Sequence, residues 1–158
     1  PSHLGCYCFD PRCGGQTLKL GLIPRCAIAK FGKLLLGFSA LLLLGYGAVS
    51  FFAPTIPADI AGLVMTNGNA YAEVGGMYGG LQSAIGLFCL IALLRQDYYR
   101  PGLALLGLTM GFLAMARLFS AWMTAAAITT YTYGALAFEF VTAALALLAF
   151  LSTSNDSA

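Results

Sequence analysis

Residues 34–53 read LLLGFSALLLLGYGAVSFFA, an uncharged run that ends where Pro54 and Pro57 interrupt it. A helix of about 20 apolar residues crosses the hydrocarbon core of a bilayer, since each residue advances it by about 1.5 Å. Three further stretches have the same length and character: 73–94 (EVGGMYGGLQSAIGLFCLIALL), 102–123 (GLALLGLTMGFLAMARLFSAWM) and 131–152 (YTYGALAFEFVTAALALLAFLS). Arg95 closes the second, Pro101 precedes the third, and the polar tail TSNDSA follows the fourth. The expected fold class is all-α: an integral membrane bundle of four transmembrane helices over 34–152. A basic, cysteine-containing segment 1–33 precedes it and a tail 153–158 follows.

Composition requires the same solvent. Of 158 residues, 59% are hydrophobic and only 9% charged, where a soluble domain carries about a quarter charged residues. A small domain keeps much of its surface in water, so the shortfall cannot be hidden in a core. Disorder and nucleic-acid binding both need charge that is missing here. The lipid bilayer is the expected partner of most of the chain, and nucleic acid is not one.

Basic residues set the expected orientation. Arg12, Lys19, Arg25, Lys30 and Lys33 precede the first span, and Arg95 and Arg100 lie between the second and third. The connections 54–72 and 124–130 contain no Lys or Arg. Positive charge stays on the cytoplasmic side, which places both termini there and makes a multi-pass protein of the cell inner membrane. Phe51, Phe52, Tyr71, Trp122 and Tyr131 then mark the outer interface, with Tyr98 and Tyr99 at the inner one. The first span is expected to remain in the protein, because Ala48-Val49-Ser50 is a poor cleavage site.

Segment 1–33 holds Cys6, Cys8, Cys13, Cys26 and His3. Its spacing fits no common zinc finger or ribbon, and a cytoplasmic location keeps thiols reduced without a metal. A flexible basic leader is the expected reading, and no metal is assigned. A metal site and S-acylation at Cys26 stay open beside it.

Ionisable groups inside a span are costly and suggest function. Arg117 lies about 9 Å below the outer end of the third span, and Glu139 about 12 Å below the same surface on the fourth. Glu73 opens the second span near that boundary. Glu139 shares a helix face with Thr132, Ala135, Thr142, Ala143 and Ala146, small residues of the kind that line helix contacts in lipid. An Arg117–Glu139 ion pair is expected, with Glu73 as a third or rim member. Such a cluster serves either as a clasp fixing helix register or as a ligand or proton site. Tyr78 and Gln82, one turn apart, either join it or satisfy each other. Gly75, Gly76, Gly79 and Gly80 form two overlapping G-x-x-x-G pairs, and Gly107 with Gly111 a third; these are expected helix-packing positions.

The inventory argues against enzyme chemistry. A single His, outside the spans, removes bis-histidine haem and di-iron carboxylate–histidine sites. No nucleophile elbow and no phosphate-binding loop is present. No cofactor and no catalytic residue is expected. Four spans without internal inverted symmetry give no sign of a secondary transporter.

The stretches AEVGGMYGGLQSAIGLF (72–88), ARLFSA (116–121) and FEFVTAALAL (138–147) resemble an uncharacterised bacterial family of four-helix membrane proteins, a domain-of-unknown-function group distantly similar in layout to DoxX-like proteins. That group shows Asn-Glu-x-Arg before Tyr-Gly-Gly, then Gly-Arg-Leu, then a Glu in the last helix. Glu73, Tyr78, Gly79, Gly80, Arg117 and Glu139 match; Ala72 and Gly75 replace the Asn and the first Arg. The resemblance covers about residues 34–150 and implies a fold and a polar cluster without an activity. Because DoxX-like relatives include small accessory subunits of membrane oxidoreductases, it implies partner subunits. The leading expectation is a non-enzymatic accessory or stabilising subunit of a larger membrane complex. The alternative is a binder or carrier of a small lipophilic or anionic molecule that uses the Arg–Glu cluster.

Overall fold

The computed structural model describes residues 25–153. Cys6, Cys8, Cys13 and His3 lie outside the described residues, as does the side chain of Cys26. Helix α1 spans Arg25–Phe52 and the short α2 Thr55–Ala61; α3 (Gly68–Glu73) runs through a π-helical segment, Val74–Leu81, into α4 (Gln82–Leu94). A 3-10 turn over Gln96–Tyr98 leads into α5 (Tyr99–Met123), and α6 covers Thr130–Ser152. Four helical spans are long and apolar enough to cross a membrane: Ala27–Phe52, Gly68–Leu94, Gln96–Met123 and Thr130–Ser152. That is the makeup of a multi-pass membrane protein.

Helix α1 begins nine residues before the apolar run that announces it (25 against 34) and carries Lys30 and Lys33 in its first turns. It stops at Phe52 because Ala53 precedes a proline and is pushed out of the helical region. Gly62 ends α2 at φ +73°, and the Leu63 amide reaches back to the Ala58 carbonyl at 2.8 Å, so two helix-end groups are satisfied by a left-handed cap. Asn67 caps α3 by accepting the Ala70 amide at 3.1 Å.

The spans form a closed ring in chain order, with α5 packed most extensively on α6 and α1 on α4. Contacts of Gly37 with Leu93 and of Gly86 with Leu44 run in opposite chain directions and show α1 and α4 to be antiparallel, and those of Gly107 with Leu147 and Gly111 with Ala143 show the same for α5 and α6. At Gly47 a Cβ would lie 3.0 Å from the Gly79 carbonyl and press on Ser83, so only glycine admits this approach of α1 to the π segment.

Packing is uneven along the bundle. Leu36, Cys89, Leu103, Leu106 and Ala146 are fully buried, and they belong to one core with Leu35, Ala92, Tyr99, Met110 and Ala149. All of these lie toward the end that contains Arg95. Tyr99, expected at an interface, is buried, and its hydroxyl donates to the Ala29 carbonyl at 3.3 Å. Toward the end that contains Phe52, Ser50, Ala58, Val74 and Ala114 are buried and α1 stays close to the π segment at Gly47, while a cleft opens between the spans around Arg117.

Candidate functional site

The cleft holds about 240 Å³. Every span contributes a polar side chain: Tyr46 from α1, Tyr78 from the π segment and Gln82 from α4, Arg117 from α5, Tyr131 and Glu139 from α6. Leu43, Met110, Leu113 and Phe138 fill the apolar share of its wall.

Arg117 and Glu139 meet here. The Arg117 Nε donates to both carboxylate oxygens, at 3.1 and 3.2 Å, and its second guanidinium nitrogen donates to Oε1 at 2.8 Å. The Glu139 side chain is 5% exposed and that of Arg117 25%. The expected face of α6 is the buried one: Thr142, Ala143 and Ala146 are enclosed with Glu139. Charged groups away from water persist when paired with good geometry, and a forked Arg–carboxylate contact is the strongest such arrangement. The remaining guanidinium nitrogen makes no hydrogen bond with a described residue, so its donors are unused.

Tyr78 packs edge-on against Tyr46, ring centroids 6.3 Å apart at 75°. Tyr131 and Arg117 are further electrostatic neighbours of Tyr46. Gln82 does not satisfy Tyr78; its Oε1 is buried and has no hydrogen-bond partner. A buried acceptor without a donor carries its full desolvation cost. The cleft therefore offers several polar side chains, while the Gln82 Oε1 itself is enclosed by protein.

Glu73 is not part of the ion pair. It is exposed and borders a second, larger groove of about 480 Å³, which runs against the loop carrying Leu63, Val64 and Met65. A π helix holds more residues per turn than an α-helix, so α-periodicity carried across Val74–Leu81 misplaces what precedes it. The glycines divide too. Gly79 sits under the Phe51 ring, Gly107 under Leu147, and Gly111 and Gly80 in ordinary contact. Among the described residues Gly75 and Gly76 have no neighbouring atom within 4 Å of the Cβ position, so they close no helix–helix contact there. The tightest approaches belong instead to Gly32, Gly47, Gly86 and Gly102, which no G-x-x-x-G spacing announces. Tyr46 and Tyr131 were missed as cleft residues. A tyrosine in mid-span was the available signal for the first, and Tyr131 reads from sequence as an interfacial aromatic.

Among the described residues, no three His, Cys, Asp or Glu side chains gather as a metal site needs. The cleft can hold a small molecule by hydrogen bonds and dispersion, and it contains no nucleophile paired with a base.

Fold and site together define a multi-pass helical membrane protein whose four spans enclose an Arg–Glu pair beside a cleft. The profile of the family described as "Domain of unknown function (DUF4345)" matches residues 31–150, and the chain belongs to that family. No curated protein and no solved structure matches it.

Proposed function

We propose that this protein is a non-enzymatic intramembrane binder or carrier of a small lipophilic molecule, held in the cleft beside Arg117 and Glu139. The observation that carries the reading is the convergence of Tyr46, Tyr78, Gln82, Arg117, Tyr131 and Glu139, drawn from all four spans, on one cleft. A structural clasp alone needs the Arg–Glu pair; it gives no reason for three tyrosines and a glutamine around a void beside it. Ligand sites are concave and mostly apolar, with a few convergent polar groups.

The setting we propose is a bacterial inner membrane with both termini in the cytoplasm, in a layout like that of DoxX-like proteins. Lys30, Lys33, Arg95 and Arg100 would then lie on the cytoplasmic side and the cleft in the outer half. A second reading, an accessory or stabilising subunit within a larger membrane complex, draws on Gly75 and Gly76. Their open positions leave room for the close approach of a helix from another chain.

Native mass spectrometry of the protein extracted in mild detergent separates the two. The binder reading expects a reproducible small-molecule mass that disappears from a folded Arg117→Ala, Glu139→Ala double variant. Additional polypeptide mass with no small molecule would overturn it in favour of the subunit reading.

A further inference from the structure

We infer that the Arg95 end of the bundle holds the headgroup of an anionic phospholipid, its phosphodiester received by Arg100. This surface lies at the opposite end from the cleft and stands whether or not the cleft takes a ligand. Lys30 and Lys33 sit in the first turns of α1, Arg95 follows the last residue of α4, and Arg100 lies in the first turn of α5. These four cations stand within two turns of the ends of all four spans, the level at which the phosphates of a bilayer begin. Among the described residues Asp97 is the only carboxylate at this end, and no ion pair engages it or any of the four cations.

Packing gives Arg100 a fixed place. The Tyr99 hydroxyl donates to the Ala29 carbonyl, and a Cβ at Gly32 would press on that hydroxyl and lie 3.5 Å from the Ala149 methyl. Helices α1, α5 and α6 therefore meet at one level, and the next residue along each is Lys33, Arg100 and Phe150. The Arg100 guanidinium carbon lies 4.9 Å from the centre of the Phe150 ring, a cation–π contact. Its Nε is enclosed and makes no hydrogen bond, whereas its two terminal nitrogens are neither enclosed nor hydrogen-bonded to a described residue. The group is held at its stem and open at its fork.

Chemistry then selects the occupant. A planar fork of donors matches two oxygens of a phosphate. Little side-chain freedom is lost on binding, because the Phe150 ring already orients the guanidinium. Lys30, Lys33 and Arg95 add attraction for any net negative headgroup, while a zwitterion brings a cation of its own among four positive charges. Exposed Phe31, Leu34 and Leu94 adjoin Lys30, Lys33 and Arg95 in the chain. Acyl chains cover such side chains and a soluble anion does not, which favours a lipid over free phosphate.

The test titrates the full chain, delipidated in mild detergent, with phosphatidylglycerol, phosphatidylcholine of the same acyl chains, and glycerol 3-phosphate. Adducts are read by native mass spectrometry. Phosphatidylglycerol is expected to bind at least about fivefold more tightly than phosphatidylcholine, the worth of one basic residue at an anionic surface. That preference should shrink as salt is added. In folded Arg100→Gln it should fall by at least about threefold, since charge-assisted hydrogen bonds go with the charge. Arg95→Gln, the same loss of charge at an exposed position, should take away less. The comparison of lipids on the unaltered protein needs no variant to fold. Equal binding of the two lipids overturns the inference, whether the surface stays bare or carries an acidic polypeptide. Glycerol 3-phosphate binding as tightly as phosphatidylglycerol overturns the lipid in favour of a soluble phosphate. A preference left intact in folded Arg100→Gln, or lost equally in Arg95→Gln, overturns Arg100 as the receiving group.

Discussion

Arg117 on α5 and Glu139 on α6 are joined as a fork, the Nε shared between both carboxylate oxygens and a terminal nitrogen closing on Oε1 at 2.8 Å. The fork depends on the planar guanidinium, which a lysine ammonium does not reproduce. It also spans one of the two extensive helix contacts of the bundle, so its loss acts on the docking of α5 against α6.

Arg117→Ala leaves a buried carboxylate without a partner and should cost on the order of 3 kcal/mol. Arg117→Lys should cost less than that but not be neutral. Adding Glu139→Ala to Arg117→Ala should recover much of the loss, because the stranded charge disappears with its partner. Reversible unfolding in mixed detergent micelles measures all three. A double variant no more stable than Arg117→Ala would contradict the pairing.

Gly47→Ala should destabilise by about 1–3 kcal/mol, since its Cβ meets the Gly79 carbonyl, a backbone atom that cannot rotate aside. Gly76→Ala should leave the isolated chain within about 1 kcal/mol of the native stability, because its position is open. The same unfolding measurement compares them. If Gly76→Ala were the more damaging, the open face would have to be filled by another chain.

Amide hydrogen exchange should divide the bundle lengthwise. Backbone amides around Leu103, Leu106 and Ala146 are expected to exchange slowest, and those of Val74–Leu81 and of α5 beyond Arg117 faster. Opening free energy follows local packing, and the core lies at the Arg95 end. Uniform protection from end to end would contradict this gradient.

Gly62→Ala should cost about 1 kcal/mol through its left-handed backbone, and Asn67→Ala about the same through the lost cap. Both act on the loop between α1 and α3, which borders the groove at Leu63, Val64 and Met65. Paired unfolding curves of the two variants against the native protein check both costs.

Engineered cysteines at Thr66 and Gln96, in a background with Cys89 and the amino-terminal cysteines replaced, test the proposed orientation. A membrane-impermeant maleimide added to intact cells should label the first and spare the second. The reverse pattern would invert the topology.

Much of the fold is legible in the residues. Four runs of apolar side chains set four spans, and the rarity of charge inside them singles out Arg117 and Glu139. Depth arithmetic along two antiparallel helices brings that pair to compatible heights without coordinates. Glu73 defeats the same arithmetic, because a wheel drawn at 3.6 residues per turn has no means of registering an eight-residue π segment. The glycine spacings fail for a related reason. Close approach is decided by what stands opposite, so Gly47 and Gly102 matter while Gly75 and Gly76 do not. The orphaned Gln82 is a property of three-dimensional surroundings alone.

The lopsided packing described above has an entropic consequence. A bundle with its main core at the Arg95 end and a cleft toward the other confines any adjustment to a guest to a few turns of helix. The freedom surrendered when a molecule settles beside Gln82 is then small, because residues already locked around Leu103 and Ala146 have none left to give up.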